Sequence, residues 1–155
     1  MTSTVPRLVV RMAHLPDDMP AIIAIRRRVF IEEQRVTANV GFDVHDRAAY
    51  HTVALVAGAV VGAGRLHITG HEAQIAWVAV LPEYRQHGVG RAIVQRLIEV
   101  ADAVGVEVIL LNAQTHALRF YQRLGFRAVG STFIMGGIEH QLMSRRRPPA
   151  VLELD

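Results

Sequence analysis

Arg85-Gln86-His87-Gly88-Val89-Gly90-Arg91 is the stretch on which the reading of this chain turns. It follows an apolar run, Ile75 to Leu81, that reads as a strand, and precedes a helix-periodic run, Ala92 to Ala103. Glycine lets a backbone come close to a guest. The first N–H groups of a helix lack internal acceptors, and the helix dipole favours negative charge beside them. Strand, glycine turn and helix start together make an anion cradle for a phosphate or pyrophosphate, with Arg85 and Arg91 as flanking cations. A lone G-x-G also marks a plain turn, so the rest of the chain has to decide.

Composition narrows the classes. The 155 residues suit one domain with a substantial core, and 51% hydrophobic with 20% charged residues is a globular balance. Cysteine is absent, which excludes disulfides, a thiol nucleophile and thiolate metal ligation. Met1 to Leu8 lacks a basic segment followed by an apolar core, so no signal peptide is expected. Val53 to Gly64 is too short and glycine-rich for a bilayer, which needs about 20 residues. The expectation is a soluble, cytoplasmic protein with no membrane partner. The net charge is +3, and all 17 Lys+Arg residues are arginine. Arg26–Arg28 and Arg145–Arg147 form clusters without the interleaved aromatics of a single-strand nucleic-acid binder, so no nucleic-acid partner is expected.

Outward from the turn, the pattern gives β-α-(loop)-β-β-β-α-β-α-β-β. Arg7–Ala13 is a first strand; Pro16-Asp17-Asp18 opens a helix that runs with apolar Ile22, Ile25, Val29 and Phe30 to Glu33. Gln34–Tyr50 is a polar stretch of a length that is functional, partly helical or mobile. His51–Ala57 and Val60–Thr69 form a hairpin, and Glu72–Leu81 a third strand. Gly105 stops the helix after the cradle. Glu107–Ala113 reads as a strand buried on both faces, Thr115–Leu124 as a short helix, and Phe126–Met135 with Ile138–Arg145 as a last hairpin. This is an α/β chain with a mixed sheet rather than an alternating doubly wound one. One domain is expected over 1–147, with 148–155 a mobile tail.

Val78-Ala79-Val80-Leu81-Pro82-Glu83-Tyr84-Arg85-Gln86-His87-Gly88-Val89-Gly90 resembles the strand and R/Q-x-x-G-x-G/A signature of the GNAT acyl-CoA N-acyltransferases. Ala117-Leu118-Arg119-Phe120-Tyr121-Gln122-Arg123-Leu124-Gly125-Phe126 resembles that family's A-x-x-F-Y-x-x-L-G-F helix, and the element order matches over nearly the whole chain. Arg28 to Gln34, Phe42-Asp43, Asp46, His51 and Gly137-Ile138-x-His140-x-x-Met143 are similar to its ElaA-like branch. Two departures bear on the substrate: Ile134-Met135 stand where an acid often precedes the final glycine turn, and Trp77 is bulky for its strand. The resemblance implies a mostly antiparallel sheet that splays at the cofactor strands, with flanking helices.

It also implies an N-acetyltransferase that moves an acetyl group from acetyl-CoA to a primary amine by direct attack. The main chain of Val78 and Val80 would pair with the pantetheine arm, and the N–H near Val80 would meet the thioester carbonyl. The backbone of Gln86, His87, Gly88, Val89, Gly90 and Arg91 would hold the pyrophosphate, with charge added by Arg85 and Arg91. Asn112 would bind the pantetheine amide or cap a helix. Tyr121, a phenol of pKa about 10, is the candidate acid for the departing thiolate; a core tyrosine is the other reading. For the base, Glu33 ends the first helix near the expected acceptor cleft, Glu32 lies on another face, and His67 and His140 are further candidates because imidazole is the common general base. A water relay also fits. Asp43, His45, Asp46 and His51 match no metal motif, so no metal is expected; they read as hydrogen-bonding residues that order the acceptor loop. A small-molecule amine acceptor and a homodimer, with the apolar last hairpin contributing, complete the expectation. The rivals are a peptide or protein amine acceptor and a noncatalytic acyl-CoA-binding domain.

Overall fold

The computed structural model describes residues 6–149. Seven strands form a single sheet in the order β1-β2-β3-β4-β5-β7-β6: β1 Leu8–Met12, β2 Tyr50–Val56, β3 Ala59–Thr69, β4 Glu72–Val80, β5 Val108–Gln114, β6 Arg127–Met135 and β7 Ile138–Arg146. All neighbours are antiparallel except β4 and β5. That one parallel pair runs only from Glu72↔Val108 to Ile75↔Leu111. Beyond it β4 continues to Val80 and β5 to Gln114 without pairing each other, so the sheet opens between them.

Helix α3, Val89–Ala103, packs on one face. Its apolar Val89, Ile93, Val94, Leu97, Ile98 and Ala101 recur at helical spacing and are buried against Leu66, Ala73, Ile75, Ile109, Leu111 and Met143. A Cβ on Gly64 of β3 would lie 2.8 Å from Ile93 Cγ2 and 3.1 Å from Leu97 Cδ1, so the bare glycine lets the helix close onto the sheet. The helix ends where Val106 N–H donates to Ala101 C=O (2.9 Å) around Gly105 at φ +88°.

The opposite face is covered only in part. Helix α1, Met19–Arg26, and a π-helical continuation, Arg27–Glu33, bury Met19, Ile22, Ile25 and Val29 against Val53, Ala63 and Ala79. The two acids expected in the first turn precede the helix instead. Asp18 takes Arg11 (2.7 and 3.3 Å) and the His14 N–H (2.7 Å), ligands available only outside the helix. Past α1 the sheet face is bare, and β5 alternates accordingly. Ile109, Leu111 and Ala113 are buried under α3, while Leu110, Asn112 and Gln114 are half-buried on the other side, a correction to the strand expected to be buried on both faces.

The long polar stretch holds a short helix α2, Val44–Ala48, with a reciprocal capping box: Asp43 accepts the Asp46 N–H and Asp46 accepts the Asp43 N–H, each at 2.9 Å. After β5 comes a 3₁₀ turn, Thr115–Ala117, then α4, Leu118–Gln122. Of the expected tail, 150–155 lie outside the described residues. Among the described residues no helix is long and apolar enough to cross a membrane.

Candidate active site

The site begins with a fault in β4. Arg65 pairs with Ala76 but Ala63 with Ala79, so Gly64 faces two residues, Trp77 and Val78. Trp77 takes the strain, at φ +56°. The extra residue shifts the phase of the strand. Ala73 and Ile75 point toward α3 before the bulge, and Val78 and Val80 do so after it, while Ala79 turns toward Ile25 and Val29. The two valine side chains therefore pack against the core.

The backbone of Val80 has the opposite fate. Leu81 N–H donates to Val61 C=O (2.9 Å), and Val80 stands opposite Gly62. In an antiparallel ladder such neighbours alternate, so the N–H and C=O of Val80 point away from β3, into the space that β5 has vacated. The carbonyl is taken by Arg85 Nε at 3.0 Å.

The bulge is clamped from behind. The Trp77 ring meets Phe30 edge-on (5.2 Å) and lies under the Arg26 guanidinium (5.3 Å). Arg26 forks onto the fully buried Asp46 at 3.0 and 2.9 Å, and Arg65 reaches the same carboxylate at 3.1 Å. Burial opposes the Asp46 charge, but Arg26, the Asp43 N–H and Arg65 outweigh it and hold the carboxyl well below the usual range. His51 Nε2 lies 2.9 Å from the Asp46 carbonyl, and burial pushes this imidazole down toward its neutral form. Of Asp43, His45, Asp46 and His51, the residues read as ordering a loop, Asp43, Asp46 and His51 hydrogen-bond one another around α2, while His45 packs on His67. Arg26 and Arg65 had no signal in the sequence: one sat in an arginine run, the other in a strand. Arg145, from the second arginine cluster, pairs with Asp102 at 2.9 and 3.0 Å.

Beyond Val80, a 3₁₀ turn, Pro82–Tyr84, leads into the cradle. Gln86 and Gly88 both adopt positive φ, +65° and +78°, and Gly88 is the N-cap of α3. No side chain caps this helix, which leaves the N–H groups of Val89, Gly90 and Arg91 open. Gln86, His87, Gly88 and Arg91 are exposed. A Cβ on Gly90 would make only ordinary contacts, 3.5 Å to Phe120 and 3.7 Å to Val80. The bare Cα there keeps the approach to the backbone open and is not needed for packing.

Two expected residues sit differently from their assigned roles. Arg85 turns away from the cradle: Nη1 and Nη2 bind Glu33 Oε2 and Oε1, both at 2.6 Å. Glu33 is thereby held below its usual range, first by the Arg85 hydrogen bonds, against some burial. Carboxylates held so are weak bases, which works against Glu33 as proton acceptor.

Tyr121 packs between Phe120 (4.9 Å) and Phe126 (6.0 Å), and burial pushes its phenol up to about 12. The residue as a whole is half-buried. Asn112 stands just past the last β4–β5 pair, on the bare face, beside His67, Gln74, Leu110 and Leu142. It caps no helix; Gln114 and Ala117 hold the cap positions that follow. Among the base candidates, His140 is buried, with Nδ1 2.7 Å from the Ile138 carbonyl and its ring stacked on Phe133, and His67 packs on His45 at 4.5 Å. Glu32 is exposed. No group of three metal-ligating side chains occurs among the described residues.

Residues 20–147 match the family model described as an acetyltransferase (GNAT) domain. The protein YyaT of Bacillus subtilis is 37% identical over 83% of this chain and 88% of its own length. The uncharacterized N-acetyltransferase YjcF of the same organism is 33% identical over 78% and 87%. Escherichia coli ElaA, a solved structure, superposes with a TM-score of 0.80 at 22% identity, over 90% of this chain and all of that one. The chain belongs to the GNAT acetyltransferase family, and its mixed seven-stranded sheet flanked by helices is the GNAT fold. It is an acyltransferase.

Proposed function

We propose that this protein transfers an acetyl group from acetyl-CoA to a primary amine of a small molecule by direct attack. The observation that carries the reading is the opening between β4 and β5, which exposes the Val80 backbone and leads to the uncapped start of α3. The donor set fits an acyl-CoA: the open N–H groups of Val89, Gly90 and Arg91, beside the exposed turn at residues 86–88, suit a pyrophosphate, and the bare Gly90 admits it. Acetyl-CoA supplies the activated acyl group. The Val80 N–H donates to the thioester oxygen, where negative charge develops. Val78 belongs to the same strand edge, and Asn112 faces it from β5 with an amide free to bond the pantetheine arm. Tyr121, protonated throughout the neutral range, gives its proton to the departing sulfur. Without cysteine there is no thiol to carry the acyl group, which favours one-step transfer. With Glu33 neutralised by Arg85, the amine loses its proton to water. The exposed apolar run Phe133, Ile134 and Met135 on the edge strand β6 supports a homodimer.

A binding module without turnover is the second reading. It is favoured by the tied-up Glu33 and by Ile134-Met135 before the Gly136-Gly137 turn. A panel of small amines and amine-bearing peptides, followed by coenzyme A release, separates the readings. We expect release with a subset of small amines; peptide-only release would reassign the acceptor. Binding of acetyl-CoA with no release across the panel would favour the module.

A further inference from the structure

We infer that Arg85 and Glu33 form a positioning pair for the acyl group, not a phosphate cation and a base. The inference rests on the acyl-CoA reading of the opening. Where β4 and β5 part, Val80 becomes an edge residue inside a sheet, and both its backbone groups lose a strand partner. Arg85 replaces that partner for one of them. Its Nε donates to the Val80 carbonyl at 3.0 Å, while Nη1 and Nη2 are fixed by Glu33 at 2.6 Å each. Three donors of one planar guanidinium thus meet three acceptor oxygens of two residues, a geometry that lysine cannot reproduce. The Val80 C=O is capped and its orientation is fixed. The N–H of the same residue is left open toward the gap.

Glu33 aims the arginine. It is the last residue of the π-helical segment, where Gln34 N–H reaches back to Val29 C=O (3.0 Å). The widened turn therefore ends at the residue that meets Arg85. A second ion pair of reversed polarity, Arg28 with Glu83, crosses the same interface. Helix-borne Arg28 and Glu33 face turn-borne Glu83 and Arg85, so the alternation of sign admits one register and rejects a slip. The helix on the acceptor side is thereby tied to the strand end that holds the donor.

The test needs no acceptor. Binding of acetyl-CoA and of coenzyme A, which lacks the acyl carbonyl, is measured by titration calorimetry for the wild type, Arg85→Lys, Arg85→Gln and Glu33→Leu, with melting temperatures as fold controls. We expect the coenzyme A Kd to stay within about twofold, because the cradle is untouched. The acetyl-CoA Kd should rise roughly five- to tenfold, the worth of one hydrogen bond, and Arg85→Lys should not rescue it. Equal weakening of both ligands in the Arg85 variants would return Arg85 to a phosphate cation. Unchanged binding of both, or full rescue by lysine, would also overturn the pairing role. If the wild type binds neither ligand, the acyl-CoA reading fails first and takes this one with it.

Discussion

Tyr121 is half-buried and Asp46 fully buried, and their surroundings drive these two ionisable groups in opposite directions. Tyr121 has only aromatic and aliphatic neighbours, so burial acts unopposed and lifts the phenol to about 12. It stays protonated throughout the neutral range. Tyr121→Phe should leave acetyl-CoA affinity intact and slow coenzyme A release by about 10²-fold or more, the usual worth of a positioned acid. The wild-type rate should show no alkaline loss attributable to this group below about pH 11; unchanged turnover in the variant would remove Tyr121 as the acid.

Asp46 instead keeps its charge because Arg26 and Arg65 surround it. Asp46→Asn leaves the buried Arg26 guanidinium without its counterion, while Arg65 keeps Asp43 at 3.1 Å, and should cost about 3–5 kcal/mol in urea unfolding. The pH dependence follows from the two depressed groups. His51 titrates below its ordinary 6.5 when folded, so the unfolded chain takes up the proton first and stability falls as pH drops below that value. Asp46 adds a second loss as pH falls below the ordinary carboxylate value of 3.8, where the unfolded chain protonates before the folded one. Urea midpoints between pH 8 and 3 should therefore decline in two stages, and His51→Gln should flatten the first.

At the scale of elements, the sequence carried the strands and helices wherever turn chemistry marks a boundary. Gly58, Gly70, Gly105, Gly125 and the Gly136-Gly137 pair all sit at positive φ between elements. Three features were not legible. The bulge lies in Glu72-Ala73-Gln74-Ile75-Ala76-Trp77-Val78-Ala79-Val80, where alanines at 73, 76 and 79 fit either face and hide the change of phase. Tryptophan is also a poor marker of positive φ. The π-helical turn shares its apolar spacing with an ordinary helix, since Ile25 and Val29 are buried in both readings. The α2 cap uses Asp at both ends of its box, where Glu or Gln at the far end is the recognisable sign. The cradle was legible because its chemistry is local. The Arg85–Glu33 pair was not, because it joins residues from distant elements. The contact of α3 with β3 is open to a direct check. Gly64→Ala places a methyl carbon 2.8 Å from Ile93 Cγ2 and should cost about 1–3 kcal/mol by overpacking, read as a lowered Tm. A neutral or stabilising result would mean that the helix is less closely seated.

Over the whole molecule, the two faces of the sheet divide the labour. The α3 face carries the main core and ends, at its N-terminus, in the cradle. The other face is covered by α1 and its π-helical extension, then left bare around His67, Gln74 and Asn112. The opening between β4 and β5 joins the two, and under the proposed function a donor held from one side would be presented to an acceptor arriving from the other. The central claim is that the uncapped start of α3 binds the pyrophosphate of acetyl-CoA. Its most direct test is the melting temperature of the wild type and of Gly90→Glu, with and without acetyl-CoA. An acid in the first turn of a helix is favoured by the dipole, and a Cβ at Gly90 makes only ordinary contacts with Phe120 and Val80, so the unliganded variant should melt near the wild-type temperature. A hundredfold excess of acetyl-CoA over its Kd should raise the wild-type Tm by about 5–10 °C and leave Gly90→Glu unmoved. No shift in the wild type, or an equal shift in the variant, would contradict the account.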